Sequence, residues 1–254
     1  MSSAASSSAA TGKLPRLARV LAWSALLAGV VCVAAGLSAG LGYRLEWWSL
    51  RQGFALLQWA AIGAIAGAAM ALVAALLPAR ARRVRALAGV ALLLNVLVAA
   101  PPLYQSMLAQ RLPKIHDVST DTEDPPSFVA VLPLRQGARN PVDYPPATAA
   151  QQKQGYPDIA PLRLPVPPDQ ALASAERAAR AMGWQIVDVS PASLRIEATD
   201  TTLFFGFKDD IVIRVRPAAQ GSIVDVRSLS RIGGSDVGAN ARRVRAYLAR
   251  LASD

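Results

Sequence analysis

Three long apolar runs, Leu17 to Leu41, Phe54 to Leu77 and Ala86 to Leu103, fill the first 112 residues, and a proline-rich and then alternating pattern fills the remainder. At the rise of an α-helix the first run would extend about 37 Å, enough to cross a hydrocarbon core with some tilt. The spacing therefore predicts three transmembrane helices, at about 17–41, 54–77 and 86–103. Residues 1–16 are expected as a flexible cytoplasmic tail, 17–111 as the membrane anchor, 112–168 as an extended proline-rich strap and 169–254 as the core of an α+β domain. The strap assignment rests on composition. Residues 133–168 hold nine of the 18 prolines, and proline at that density favours extended chain over helix.

Beyond Asp169, a plausible N-cap, Ala171, Leu172, Ala175, Ala178, Ala179 and Met182 recur at helical spacing up to Gly183. Four alternating segments follow, 184–189, 193–202, 210–216 and 222–230, with Ser222 expected in an exposed turn. Ile211, Ile213 and Val215 share one face of the third segment, and Arg214 and Arg216 share the other. This predicts an antiparallel meander with one wet face. A last helix, capped by Ser235, carries Val237, Ala241, Val244, Leu248 and Leu251 on one stripe. The expected fold is a membrane-anchored α+β protein: three transmembrane helices, then a two-layer domain in which two helices flank a four-stranded antiparallel sheet.

Charge divides the chain at the same place. Residues 1–112 hold 10 of the 27 Lys and Arg against one acid, Glu46, whereas the remainder holds 17 basic and 16 acidic side chains. The basicity belongs to the membrane half, and the outer half has no basic stripe interleaved with aromatics, which argues against a nucleic-acid partner. Lys13, Arg16 and Arg19 lie at the start of the first run, and Arg80, Arg82, Arg83 and Arg85 fill the turn between the second and third. By the positive-inside rule both are cytoplasmic. Three crossings then place residues 113–254 outside, in the periplasm of a bacterial inner membrane. Tyr43, Trp47, Trp48 and Tyr104 are expected together at the outer interface.

Within the anchor, Gly36 with Gly40 and Gly63 with Gly67 form two small-xxx-small pairs, read first as contacts between helices of one chain and second as a dimer seam. Asn95 is expected to hydrogen-bond a neighbouring helix, and Cys32, the one cysteine, to act as a small packing residue. Oligomeric state stays open.

The residues from Asp169 to Leu251 carry a resemblance, above all Phe205-Gly206-Phe207-Lys208-Asp209-Asp210, Asp225-Val226-Arg227-Ser228-Leu229-Ser230-Arg231 and Gly234-Ser235-Asp236-Val237-Gly238-Ala239-Asn240. Over roughly residues 113–252 the chain closely resembles the domain of unknown function 1499 family. The resemblance implies the domain and no particular activity. Some branches of that family carry Asn-Cys-Val-Ser-Ser near the domain start; here the segment reads His116-Asp117-Val118-Ser119-Thr120, which removes any cysteine-based role.

The candidate binding surface joins the last strand to the last helix, where free backbone N–H groups and arginines suit an anion. Its candidate ligand-binding residues are Arg227, Ser230, Arg231, Ser235, Asn240 and Arg243, with Lys208 nearby. A structural reading stands beside it: Ser235 caps, Gly233 and Gly234 turn, and Asp225 or Asp236 pairs with an arginine. Leu203-Phe204-Phe205-Gly206-Phe207 invites two readings, completion of the core, which is preferred, or insertion into a bilayer surface with Lys208 near a phosphate.

No catalytic set, cofactor or metal is assigned. A Ser-His-Asp hydrolase would need His116, the one histidine, with Ser119, Ser230 or Ser235 and Asp117 or Asp236, and no nucleophile elbow accompanies these serines. A calcium site from Asp117, Asp121, Glu123 and Asp124 lacks the EF-hand spacing. Zinc or iron would ask for more His or Cys. The function expected from sequence is an integral membrane protein presenting an extracytoplasmic interaction domain, its partners the lipid bilayer and an envelope protein or anionic envelope component. The alternative is an extracytoplasmic hydrolase or metal-dependent enzyme using His116.

Overall fold

The computed structural model describes residues 4–78 and 82–253. The chain forms two compact units that divide between Met107 and Leu108. In the first, α1 (Ala4–Arg44), α2 (Leu50–Leu76) and α3 (Arg82–Arg111) are runs of alanine and leucine, with a capping box of Ser49 and Gln52 opening α2. All three are long and apolar enough to cross a membrane. The first helix begins at Ala4 rather than Leu17, so the stretch expected as a flexible tail is helical from Ala4 onward. Arg80 and Ala81 of the arginine turn lie outside the described residues; Arg82, Arg83 and Arg85 open α3.

Alanine lines the seam between these helices. Cys32 packs with Ala60, Ala64 and Ala99, and Ala25 packs with Ala71 and Ala91, as small residues permit backbones to approach closely. Asn95 is buried at the junction, its amide nitrogen donating to the Ala25 carbonyl of α1 at 2.9 Å and to Ala91 at 2.8 Å. Gly67 of α2 supplies the space: a Cβ there would overlap the Asn95 amide, and one on Gly63 would press on Cys32 Sγ. The second small-xxx-small pair is thus used inside the chain. Gly36, by contrast, faces open space. Trp48 folds back on α1, where its ring lies against Gly42 and its indole N–H donates to the Ala39 carbonyl at 3.1 Å.

The second unit is built on a six-stranded antiparallel sheet, two strands more than the sequence pattern predicts. Its elements are β1 (Asp117–Ser119), α4 (Pro146–Gly155), β2 (Leu162–Leu164), α5 (Pro168–Ala181), β3 (Gln185–Ser190), β4 (Arg195–Thr201), β5 (Lys208–Pro217), β6 (Ser222–Ser230) and α6 (Ala239–Leu251). The order is β1-β6-β5-β4-β3, and β2 also pairs with β6. The two extra strands come from the proline-rich segment. Three residues each are too short to show alternation, yet β1 pairs with Arg227–Leu229 and β2 with Ser222–Val224, so together they cover the outer edge of β6.

One face of the sheet takes α5 and α6. Ile196, Ala198, Ile211, Ile213, Val224 and Val226 meet Ala171, Ala175, Val244 and Leu251 in one core, each large aliphatic side chain there contributing about 1.5–3 kcal/mol by its burial. Trp184 stacks on Tyr247 at 5.0 Å, and the Tyr247 hydroxyl donates to the Ala175 carbonyl. The opposite face is not wet. Phe128 and Val131 of the strap pack on Val212 and Leu229, and Glu197 of β4 accepts the backbone N–H groups of Val129 and Val131, both at 2.9 Å. Polar alternation misleads here because the outward arginines and acids are met by strap groups rather than by water. The helix starts also shift: α5 begins at Pro168 with Pro167 as N-cap, and α6 at Ala239. Ser222 is a buried strand residue whose hydroxyl donates to the Val166 carbonyl; Ala219 and Gln220 occupy the exposed turn instead.

The glycine contacts make a direct prediction. Gly67→Val in the detergent-solubilised full chain destabilises the helical unit by about 2 kcal/mol through overpacking against Asn95, while Gly36→Val stays within about 0.5 kcal/mol of the parent. Thermal unfolding of the two variants side by side checks this, and equal midpoints would refute the junction.

Candidate functional site

Strand parity decides where each candidate points. On β6, Arg227 faces the strap, whereas Ser228 and Ser230 face the helices. Arg227 is buried. Its Nε and Nη2 donate to the Asp117 carboxylate, Nη2 lying 2.7 Å from Oδ2, and its remaining N–H groups reach the carbonyls of Pro126 and Val142 at 3.2 and 2.6 Å. The rings of Phe128 and Tyr144 lie 5.1 and 5.3 Å from its guanidinium carbon, a cation–π arrangement strengthened by desolvation. Burial pushes the Asp117 carboxyl up, against the hydrogen bonds and charge of Arg227, which pull it down.

The same economy runs along this face. Asp210 receives Arg231 at 2.8 Å, together with Arg135 of the strap and the Thr199 hydroxyl, and Arg231 Nη1 also donates to the Leu134 carbonyl. Arg214 and Arg216 share Asp225 and both reach Asp121; Arg214 adds Asp124. Arg195 pairs with Glu197 at 2.8 Å.

Across the sheet a second polar cluster lies beneath the start of α6. Arg243 pairs with Asp200 at 2.8 Å and Asp209 at 2.6 Å, and also reaches Ser228 Oγ. Asn240 accepts from Ser228 Oγ and donates both to Ser230 Oγ at 3.0 Å and to the His116 carbonyl at 3.0 Å. Gly238 is the N-cap of this helix, and Asp236 rather than Ser235 supplies the side-chain acceptor at its start: its carboxylate accepts the backbone N–H groups of Gly238 and Asn240 at 2.8 Å each. Burial pushes its carboxyl up, while those two amides pull it down. Ser235 Oγ accepts from Val237 N, at 3.3 Å.

The seven candidates therefore fall into three places. Arg227 sits under the strap; Ser230, Asn240 and Arg243 form one cluster on the helix side; Lys208, Arg231 and Ser235 reach the surface, Lys208 exposed and the other two in part. Asp117 enters the sequence reading only as a catalytic or calcium group and Asp225 as an arginine partner, a pairing the structure shows with Arg214 and Arg216; Asp209, Asp210 and Glu197 were not singled out as organisers of these sites. Their signal was present: acids at inward or strand-centre positions demand partners.

Several groups of the alternative chemistry are already engaged in structural contacts. Asp117 is engaged by Arg227, Asp236 by two amides, and Ser119 Oγ donates to the Asp121 carbonyl. The four acids considered for calcium each meet a cation, with Lys153 on Glu123. Among the described residues no group of three His, Cys, Asp or Glu is placed to hold a metal ion.

No curated protein matches the chain. Residues 117–251 match the family described as "Protein of unknown function (DUF1499)". The matched span starts at β1, the strand that seats Asp117 against Arg227, and ends at the last residue of α6, so it takes in the sheet, the strap and both polar clusters. The chain belongs to the DUF1499 family.

Proposed function

We propose that this is an integral membrane protein of the bacterial inner membrane whose second unit is displayed in the periplasm as a non-enzymatic interaction module. The observation that carries the reading is the inward commitment of its arginines: Arg135, Arg227, Arg231 and Arg243 pair with Asp210, Asp117 and Asp209 inside the fold, which makes a rigid strapped scaffold rather than an assembled catalytic set. The arginine turn and the basic start of α1 support a cytoplasmic N-terminus, and with it an outward second unit. The contact surface for an envelope protein or an anionic envelope component is the lip of Lys208, Arg231 and Ser235 with the exposed Gly233 and Gly234; Arg227, Ser230, Asn240 and Arg243 hold that lip from behind.

Topology is tested with Gln220→Cys in a Cys32→Ala background, labelled on intact cells by a membrane-impermeant thiol reagent. Labelling before lysis, with Ala81→Cys labelled only after lysis, is expected. The reverse pattern would move the partner search to the cytosol.

His116→Ala distinguishes binding from catalysis. The His116 backbone carbonyl, which the substitution keeps, is what accepts from Ser230 and Asn240, so the variant is expected to fold and to complement a deletion phenotype. Loss of complementation by a folded variant would favour the hydrolase alternative.

The scaffold itself predicts strong coupling between Asp117 and Arg227. Asp117→Ala leaves a buried guanidinium without its carboxylate and costs about 3–5 kcal/mol, a loss that Arg227→Leu in the same chain largely restores. Thermal unfolding followed through the Trp184–Tyr247 stack by near-ultraviolet circular dichroism reads both.

A further inference from the structure

The β4–β5 hairpin ends in a tip that the core does not absorb. Phe205 is buried and stacks on Phe207, and the turn is held by Thr202, whose hydroxyl and carbonyl accept the N–H groups of Phe207 and Gly206. Leu203 and Phe204 are 91% and 42% exposed, the Phe204 ring resting edge-on against Phe205 at 5.0 Å. The tip thus divides into an inner half that anchors it and an outer half that presents a large aliphatic and an aromatic side chain to solvent. Leu134 of the strap, also exposed, is close by, because Arg231 donates to its carbonyl and to that of Lys208.

Asp200, Asp209 and Asp210 are each met by an arginine. Lys208 and Arg139 are exposed, and among the described residues neither has a carboxylate within ion-pair distance. Apolar side chains flanked by unneutralised cations fit the boundary between acyl chains and anionic headgroups.

The chain also enters this unit at the same end of the sheet. Asp117 pairs with Leu229 and Asp209 with Ser230, so His116 and Lys208 lie at matching ends of β1 and β5, two strand spacings or about 10 Å apart. Only four residues, Leu112 to Ile115, lie between Arg111, the last residue of α3, and His116, a leash of at most about 18 Å.

We infer that the β4–β5 hairpin tip docks on the anionic surface of the bilayer that holds its own anchor, Leu203 and Phe204 entering the interface while Lys208 and Arg139 meet lipid phosphates. This goes beyond the interaction-module reading, since it requires only that the three helices span a bilayer, whichever side the second unit faces.

The test uses the full chain in the Cys32→Ala background, reconstituted into phosphatidylcholine vesicles with or without phosphatidylglycerol. An environment-sensitive nitrobenzoxadiazole label is placed at Leu203→Cys, and separately at Thr201→Cys so that Leu203 and Phe204 stay native. Gln220→Cys, at the opposite end of the sheet, and Leu97→Cys, on α3, serve as controls. With phosphatidylglycerol present, both hairpin labels are expected to shift to the blue, lose emission to a nitroxide-bearing phospholipid and resist aqueous iodide, while the Gln220 label stays aqueous. Lys208→Ala lowers the docked-to-undocked ratio about five-fold. Hairpin labels that behave like Gln220 in both vesicles, while Leu97 is quenched by the nitroxide lipid, overturn docking and leave the membrane anchor intact. An unquenched Leu97 overturns the anchor and the docking with it. A blue shift that grows with protein-to-lipid ratio without nitroxide quenching assigns the tip to a second copy of the chain and also overturns the proposal.

Discussion

A guanidinium buried on the face of a sheet is tolerable only where a carboxylate and carbonyl oxygens surround it, because an uncompensated buried charge costs several kcal/mol. Arg227 meets that condition with groups drawn from three separate stretches of chain: Asp117 of β1, Pro126 of the strap and Val142 further along it. The position of the strap follows from this requirement. Once it lies across the sheet, Val129 and Val131 present their N–H groups to Glu197, Arg135 reaches Asp210, and Asp121 reaches Arg214 and Arg216. Proline supplies the extended backbone for such a crossing, and charge supplies its register. A buried ion pair need not add net stability over a hydrophobic contact, but it penalises every register in which the charges fail to meet.

Periodicity exposed much of this architecture and hid the rest for definite reasons. The three apolar helices, α5, α6 and strands β3 to β6 all carry a repeat long enough to be read. Strands β1 and β2 do not, since three residues show no alternation, and their existence depends on the unpaired edge of β6, a long-range demand that no local window contains. The wet face of the meander was a fair inference from Arg214 and Arg216, and it failed because their strap partners lie 90 to 95 residues away. The site candidates show a similar split. Clustering of Arg227, Arg231 and Arg243 in sequence suggested one anion-binding surface, but strand parity sends Arg227 and Arg243 to opposite faces. Asp236 supplies the side-chain acceptor expected of Ser235 because α6 begins at Ala239, with Gly238 at φ 75° as the N-cap and entry turn.

The helical unit solves a different problem with a related device. Leucine faces outward on all three helices and cannot distinguish one helix neighbour from another, so specificity rests on fit at small residues and on Asn95. Its amide bridges to α1 through the Ala25 carbonyl while lying against Gly67 of α2. One polar side chain thereby sets the mutual register of three otherwise interchangeable apolar rods.

The outer edge of β6 has a consequence of its own. That strand pairs with β5 along its whole length on one side, and on the other it is closed by two short pieces from opposite ends of the strap. A protein cut back to Asp169, where the regular pattern begins, would keep nearly all of α5, with α6 and strands β3 to β6, but lose both covers. Nine residues of bare, strongly paired strand would then face outward, and a naked edge of that kind recruits other chains. The strap is therefore the guard that closes this edge from within the same chain.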